Sequence, residues 1–141
     1  MGQEGIEYIR NLRDKNGLNR VGWLSGISNQ PSDPCYFGNY CVIDSPNQVN
    51  PVVCPTPTDI NSCPYVLQNT KGASPTYLYS QDASDSNNTA TIFKRVIRLS
   101  QVIDNLGVNF SNEVLVTVFV QWKAGSATRQ FIARENLFDW Q

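Results

Sequence analysis

Val114, Val116, Val118, Val120 and Trp122 stand at every second position, with Glu113 just before them and Thr117 and Gln121 among the residues between them. In an extended strand such alternation puts one set of side chains on one face and the other set on the opposite face. A face of large apolar side chains cannot be left in water, since burying each is worth about 1.5–3 kcal/mol. The chain must therefore bring another element across that face.

The neighbouring segments read as further strands. In 91–99, Phe93, Ile97 and Leu99 fall on one side while Lys94 and Arg98 point to the other. Arg95 falls on the apolar side, where its charge is expected to be paired unless the strand is an edge. Leu106-Gly107-Val108-Asn109 marks a connection, Lys123-Ala124-Gly125-Ser126 a hairpin turn, and 129–135 the returning strand. Three successive strands with short links predict an antiparallel meander with one face to bury.

The covering element is expected at the other end of the chain. In 3–14, Ile6, Ile9 and Leu12 recur at three-residue steps and Tyr8 stands four before Leu12, which makes one apolar stripe on a helix. Glu7 with Arg10, and Arg10 with Asp14, sit at helical pair spacing on the wetter side, and Asn16-Gly17 is the expected stop. No capping residue opens the segment, so it reads as the rear half of a longer helix. No other convincing helix is present. The predicted class is α+β, an N-terminal helix on an antiparallel sheet of about four strands. Ile6, Ile9 and Leu12 are expected to pack on Val114, Val116, Val118, Val120 and Trp122.

Between these parts the pattern changes. All 8 prolines lie from Pro31 to Pro75, together with all 4 cysteines, Cys35, Cys41, Cys54 and Cys63. Periodicity shrinks to short extended pieces at 40–44, 65–67 and 76–79. Disulfides and short edge strands are the physical way to hold so long a loop region, and proline suits edges and turns. An even cysteine count here points to two disulfides and an oxidising compartment. A zinc site would want close cysteine pairs, usually with histidine, and the chain has no histidine. Of three connectivities, Cys35–Cys41 with Cys54–Cys63 closes the shortest loops at least entropy cost, although the sequence leaves the choice open. The 141 residues are expected to form one domain, with the helix in 1–17, a variable loop region in 28–90 and the sheet in 91–141.

Composition removes several functions. Without histidine there is no Ser-His-Asp or Cys-His arrangement, and the 12 carboxylates are spread along the chain, so no enzyme activity is expected. A net charge of −1 from scattered cations gives no footprint for nucleic acid. No apolar run approaches the length that spans a bilayer, and no signal peptide is recognisable, so an exported form is expected to have lost its signal. Asp82, Asp85, Asn87 and Asn88 could offer oxygen ligands to calcium, but their spacing is not that of an EF-hand, and a solvated turn in 80–88 is the preferred reading. No metal or cofactor is expected. Asn87-Asn88-Thr89 and Asn109-Phe110-Ser111 match the glycosylation acceptor pattern, which here marks exposed loops. Tyr36, Phe37, Tyr40, Tyr65, Tyr77 and Tyr79 gather around the cysteines. They are read as packing the stapled loops onto the sheet edge or filling subunit contacts, in preference to an adhesive surface. Trp23, Trp122 and Trp140 are read as core.

The order of parts resembles the type IV pilin and pseudopilin family. The opening Gln3-Glu4-Gly5-Ile6-Glu7 with Arg10-Asn11-Leu12-Arg13-Asp14 is similar to the segment after the hydrophobic half of a prepilin helix. Phe93-Lys94-Arg95-Val96-Ile97 and the strand from Val114 to Trp122 resemble that family's sheet strands, and Leu137-Phe138-Asp139-Trp140 its closing motif. The middle, 28–90, carries no such likeness, and no cysteine follows Cys63 to form the C-terminal disulfide loop of many such proteins. The resemblance implies a structural subunit of a type IV pilus or pseudopilus at the cell surface. Its membrane-anchored precursor would be assembled with other pilin subunits by inner-membrane machinery. The alternative is a secreted adhesin-type binding domain that forms no filament.

Overall fold

The computed structural model describes residues 1–44, 50–69, 79–81, 86 and 88–140. Helix α1 (Gly2–Leu18) leads through a turn-rich segment to β1 (Tyr40–Val42), β2 (Val52–Val53) and a single 3₁₀ turn at Ile60–Ser62. Then follow β3 (Leu67–Asn69), β4 (Tyr79–Ser80), β5 (Asn88–Ala90), β6 (Phe93–Ile103), β7 (Asn109–Ala124) and β8 (Ala127–Phe138). The main sheet has five strands in the order β2-β1-β6-β7-β8, and a small second sheet has the order β4-β3-β5. All pairings are antiparallel. The α+β class expected from the sequence is the class found, with more strands than the meander alone supplies.

The three meander strands are longer than their periodicity suggested. β7 runs for 16 residues because Asn109 pairs back to Ile103 and Ala124 to Ala127, so its ends are set by partners and not by side-chain alternation. The β6–β7 turn therefore spans 104–108 and opens on Asp104, whose carboxylate accepts from the N–H groups of Leu106 and Val108. The β7–β8 turn shrinks to Gly125 and Ser126, with Gly125 at φ 64° as a tight hairpin requires.

α1 also runs past its expected stop. Gly17 stays helical, and Asn19 ends the helix in a right-handed conformation. The left-handed residue is Arg20, at φ 57°. The amide of Asn16 explains the shift, since it donates to the carbonyls of Trp23 at 3.1 Å and Ser25 at 2.9 Å and so fastens the following turn to the helix end. β3 likewise begins at Leu67, later than the piece at 65–67, because Val66 is tied to the strand ends: its N–H donates to Phe93 O and its carbonyl accepts from Thr91.

α1 lies along β7 and β8 and runs in the direction of β8. A Cβ on Gly2 would meet Phe131 and Ala133, and one on Gly5 would meet both methyls of Val118 at 3.0 Å, so two glycines let the helix backbone sit close to the sheet. Further along, Arg10 reaches Glu135 and Arg13 reaches the carbonyl of Phe138. The main core gathers Ile6, Tyr8, Ile9, Ile97, Leu99, Val114, Val116, Val118 and Leu137, with Leu12 and Trp23 packed against it. Val120 is buried in the row beside Arg95 and Phe131, and Trp122, one row further, sits half-buried with its ring 6.0 Å from that of Phe93.

The sheet does not have one face to bury. On the side opposite α1, Val96 is fully buried and joins Val42, Cys54 and Cys63 in a second core, with Tyr40, Ile60 and Phe119 against it. The stapled region therefore extends the sheet edge through β1 and β2 and also covers the back of the sheet. Cys35 pairs with Cys41 and Cys54 with Cys63, the two short loops, and each bridge seats in a different core. Trp140 is not core either. It is 60% exposed, with its indole N–H 3.4 Å from Asp14.

Candidate functional site at the helix–sheet seam

The polar groups that the sequence scattered are drawn together along one line, the seam between α1 and the sheet. Arg95 lies at its start. β6 is an inner strand, between β1 and β7, so the arginine cannot reach solvent from an edge. Its side chain is 0% exposed, and Nη1 lies 2.6 Å from Oε2 of Glu4. That contact is one of charge, poorly angled for a hydrogen bond; Nη2 donates to the carbonyl of Ile43 at 3.2 Å. The expectation of a paired Arg95 is met by a partner 91 positions earlier in the chain, which no local pattern could name.

Tyr8 lies one turn along α1 from Glu4, with its hydroxyl buried and without a hydrogen-bond partner among the described residues. Burial pushes the phenol above its ordinary range; the Asp44 carboxylate adds to the rise and Arg95 works against it. Because the folded-state pKa exceeds the unfolded one, the stability contributed by neutral Tyr8 is full below about pH 10. It is lost as pH climbs from there through the folded-state pKa. Replacing Tyr8 with Phe is therefore expected to leave stability near pH 7 within about 0.5 kcal/mol, since no hydrogen bond is given up. It should also flatten the decline above about pH 10. Urea denaturation at both pH values checks this, and a marked loss at neutral pH would show a hydrogen bond that the geometry lacks.

Further along, Arg10 donates to Glu7 at 2.6 Å and to Glu135. Glu135 stands on the α1-facing side of β8 between Ala133 and Leu137, an acidic residue on an inward strand face that the sequence reading missed. Its signal was present: 133, 135 and 137 alternate with exposed Arg134 and Asn136. Arg13 pairs with Asp14 at 2.7 Å and bonds the carbonyl of Phe138 at 3.3 Å. The outward stripe of α1 carries Gln3, Asn11 and Lys15, all exposed.

The aromatic residues around the cysteines are mostly internal contacts. Tyr40 meets Phe119 edge-on at 5.9 Å, Tyr36 meets Phe37 at 5.7 Å, and Tyr65 holds the Lys94 ammonium 4.8 Å above its ring. Tyr79 is half-buried in β4, while Tyr77 and the calcium candidates Asp82, Asp85 and Asn87 lie outside the described residues. Asn88 is part of β5, and Asn109 and Ser111 are exposed in β7. Among the described residues no three metal-ligating side chains converge, and no helix is long and apolar enough to cross a membrane. No protein-family model, curated protein or solved structure matches the chain. What the seam can do chemically is hold. It ties a helix to a sheet by charge at several points along its length.

Proposed function

We propose that the chain is the exposed domain of a type IV pilin-like filament subunit, assembled with copies of itself or related subunits at the cell surface. The observation that supports this most is the seam. α1 is fastened at Glu4–Arg95, at Arg10–Glu135 and at Arg13 to the Phe138 carbonyl, so a pull along the helix axis would pass into the sheet at three levels. A filament held together by its helices needs that kind of attachment, and a free binding domain does not. The polar outward stripe of Gln3, Asn11 and Lys15 leaves a helix face for neighbouring subunits. Two disulfides suit an oxidising exterior. On this reading the domain carries no catalytic residue and binds no cofactor, and inner-membrane machinery would act on a segment ahead of residue 1.

A second reading, a secreted adhesin-type domain, is favoured by one end of the sheet. There Leu106, Val108, Phe110, Phe138 and Trp140 are all exposed, Leu106 at 88%. Two measurements separate the readings. The native gene upstream of Met1 is expected to encode a leader followed by about 20 apolar residues. Antibody raised against this domain should decorate filaments sheared from the cells that make it. A gene without the apolar segment, or label confined to soluble secreted protein, would overturn the filament reading in favour of the adhesin.

A further inference from the structure

We propose that β8 is a pairing edge whose partner is β8 of a second copy of this chain, antiparallel and centred on Ile132. The two edges of the main sheet are treated differently. At one, β2 is 2 residues long, with Pro51 before it and Cys54-Pro55 after it, the usual means of blunting an edge. At the other, β8 offers 12 residues without proline, and its register with β7 is unbroken from Glu113↔Phe138 to Ala124↔Ala127. Every residue from 127 to 132 is exposed, including Phe131 at 56% and Ile132 at 41%, which point to opposite faces of the sheet. An added strand covers both faces at once, and a ligand on either face would not.

The ladder fixes which backbone groups are on offer. The N–H of Asp139 donates to the carbonyl of Asn112 at 2.8 Å, which continues the β7–β8 pairing and sets its parity. Odd-numbered residues of β8 turn their N–H and C=O toward β7. Even-numbered ones, Gln130, Ile132 and Arg134 among them, turn theirs outward.

Symmetry then selects the register. A twofold axis perpendicular to the sheet pairs the two strands antiparallel, and opposed residues must share a face, so the centre falls on a residue. Centred on Ile132, the pairing sets Arg129 against the partner's Glu135 twice over. It also sets Gln130 against the partner's Arg134, and Phe131 against the partner's Ala133. Centring on Phe131 would set Glu135 against Ala127, and centring on Ala133 would set it against Phe131. Of these three registers, only the one on Ile132 sets opposite charges against each other. α1 starts over Phe131 and Ala133 and runs on toward Phe138, so this pairing would bring together only the first turns of the two copies' helices, with Phe131 covered at the join. Such a contact closes on itself and does not propagate, so it joins two domains whether or not the chain also forms filaments.

Sedimentation and light scattering of the 141-residue chain between about 1 µM and 1 mM, the range of weak protein pairs, test this directly. The expected result is a concentration-dependent doubling of mass. Ile132→Pro, which removes an outward N–H and spares the β7 ladder, is expected to abolish it. Arg129→Glu should weaken association by about tenfold or more, and Arg129→Lys, which keeps the charge, should not. Amide exchange on the unaltered chain gives a second readout that needs no variant: the N–H groups of Gln130, Ile132 and Arg134 should gain protection as concentration rises. A chain that stays monomeric near the top of the range would overturn the proposal. So would a dimer indifferent to both Ile132→Pro and Arg129→Glu, or one in which those amides stay unprotected.

Discussion

Replacing Glu4 with Gln is expected to destabilise the domain by about 3 kcal/mol, the lower end of what breaking a buried ion pair costs. The reason is an asymmetry between the partners. Arg95 is 0% exposed, so a guanidinium deprived of Glu4 would stay in the core having lost the carboxylate 2.6 Å from it, keeping its bond to the carbonyl of Ile43. That surviving bond places the estimate at the low end. Glu4 is 39% exposed and can turn to water when Arg95 is removed. Arg95→Met should therefore cost about 1 kcal/mol or less, because a long apolar side chain refills the space and the buried charge goes with it. Urea denaturation of the two single variants and the double variant forms the cycle. If Arg95→Met proved the more damaging change, the charge balance assigned to the seam would be wrong.

The second large effect concerns the disulfides. Removing Cys54–Cys63 by a double alanine substitution is expected to cost about 2.5 kcal/mol, from the loop entropy that so short a bridge withholds from the unfolded chain. Cys35–Cys41 should cost a similar amount. Losing both would take about 5 kcal/mol from a domain whose whole stability lies near 5–15 kcal/mol. The two losses should differ in place. Cys54 and Cys63 seat behind the sheet with Val96 and Val42, so their removal should release amide protection in 50–69. Cys35 and Cys41 seat in the core under α1 with Leu24 and Ile27, so theirs should release it in 24–43. Calorimetry gives the size and hydrogen exchange the place. Identical exchange patterns for the two variants would mean that the back of the sheet has no core of its own.

Much of this fold was legible because local periodicity has a direct physical cause. The Val114–Val120 alternation reported a buried face, and Ile6, Ile9 and Leu12 reported the helix stripe on the same side of the molecule. Val96 and Phe119 were not legible. They occupy the face that Lys94, Arg98, Thr117 and Gln121 made look wet, and Val96 is buried and Phe119 half-buried because the chain from 50 to 63 folds back over them. A pattern of polar neighbours cannot announce a loop that returns from elsewhere in the chain. Trp140 failed in the opposite sense: its size suggested core, but its position past the last strand leaves it on the rim.

The seam shows the same division. Sequence alone determined that Arg95 sits on an apolar face and needs a partner, since strand parity and the cost of a buried charge are local facts. It also determined two amphipathic elements, a cysteine-rich region whose even count points to two bridges without naming the pairs, and a chain without histidine chemistry. Only the tertiary structure decided that the partner is Glu4, that Glu135 faces Arg10, and that the sheet has a second core behind it. It alone set the short β2 at one edge of the sheet and the long β8 at the other. Those outcomes depend on which surfaces meet, and meeting is a property of distance in space between residues that the sequence holds far apart.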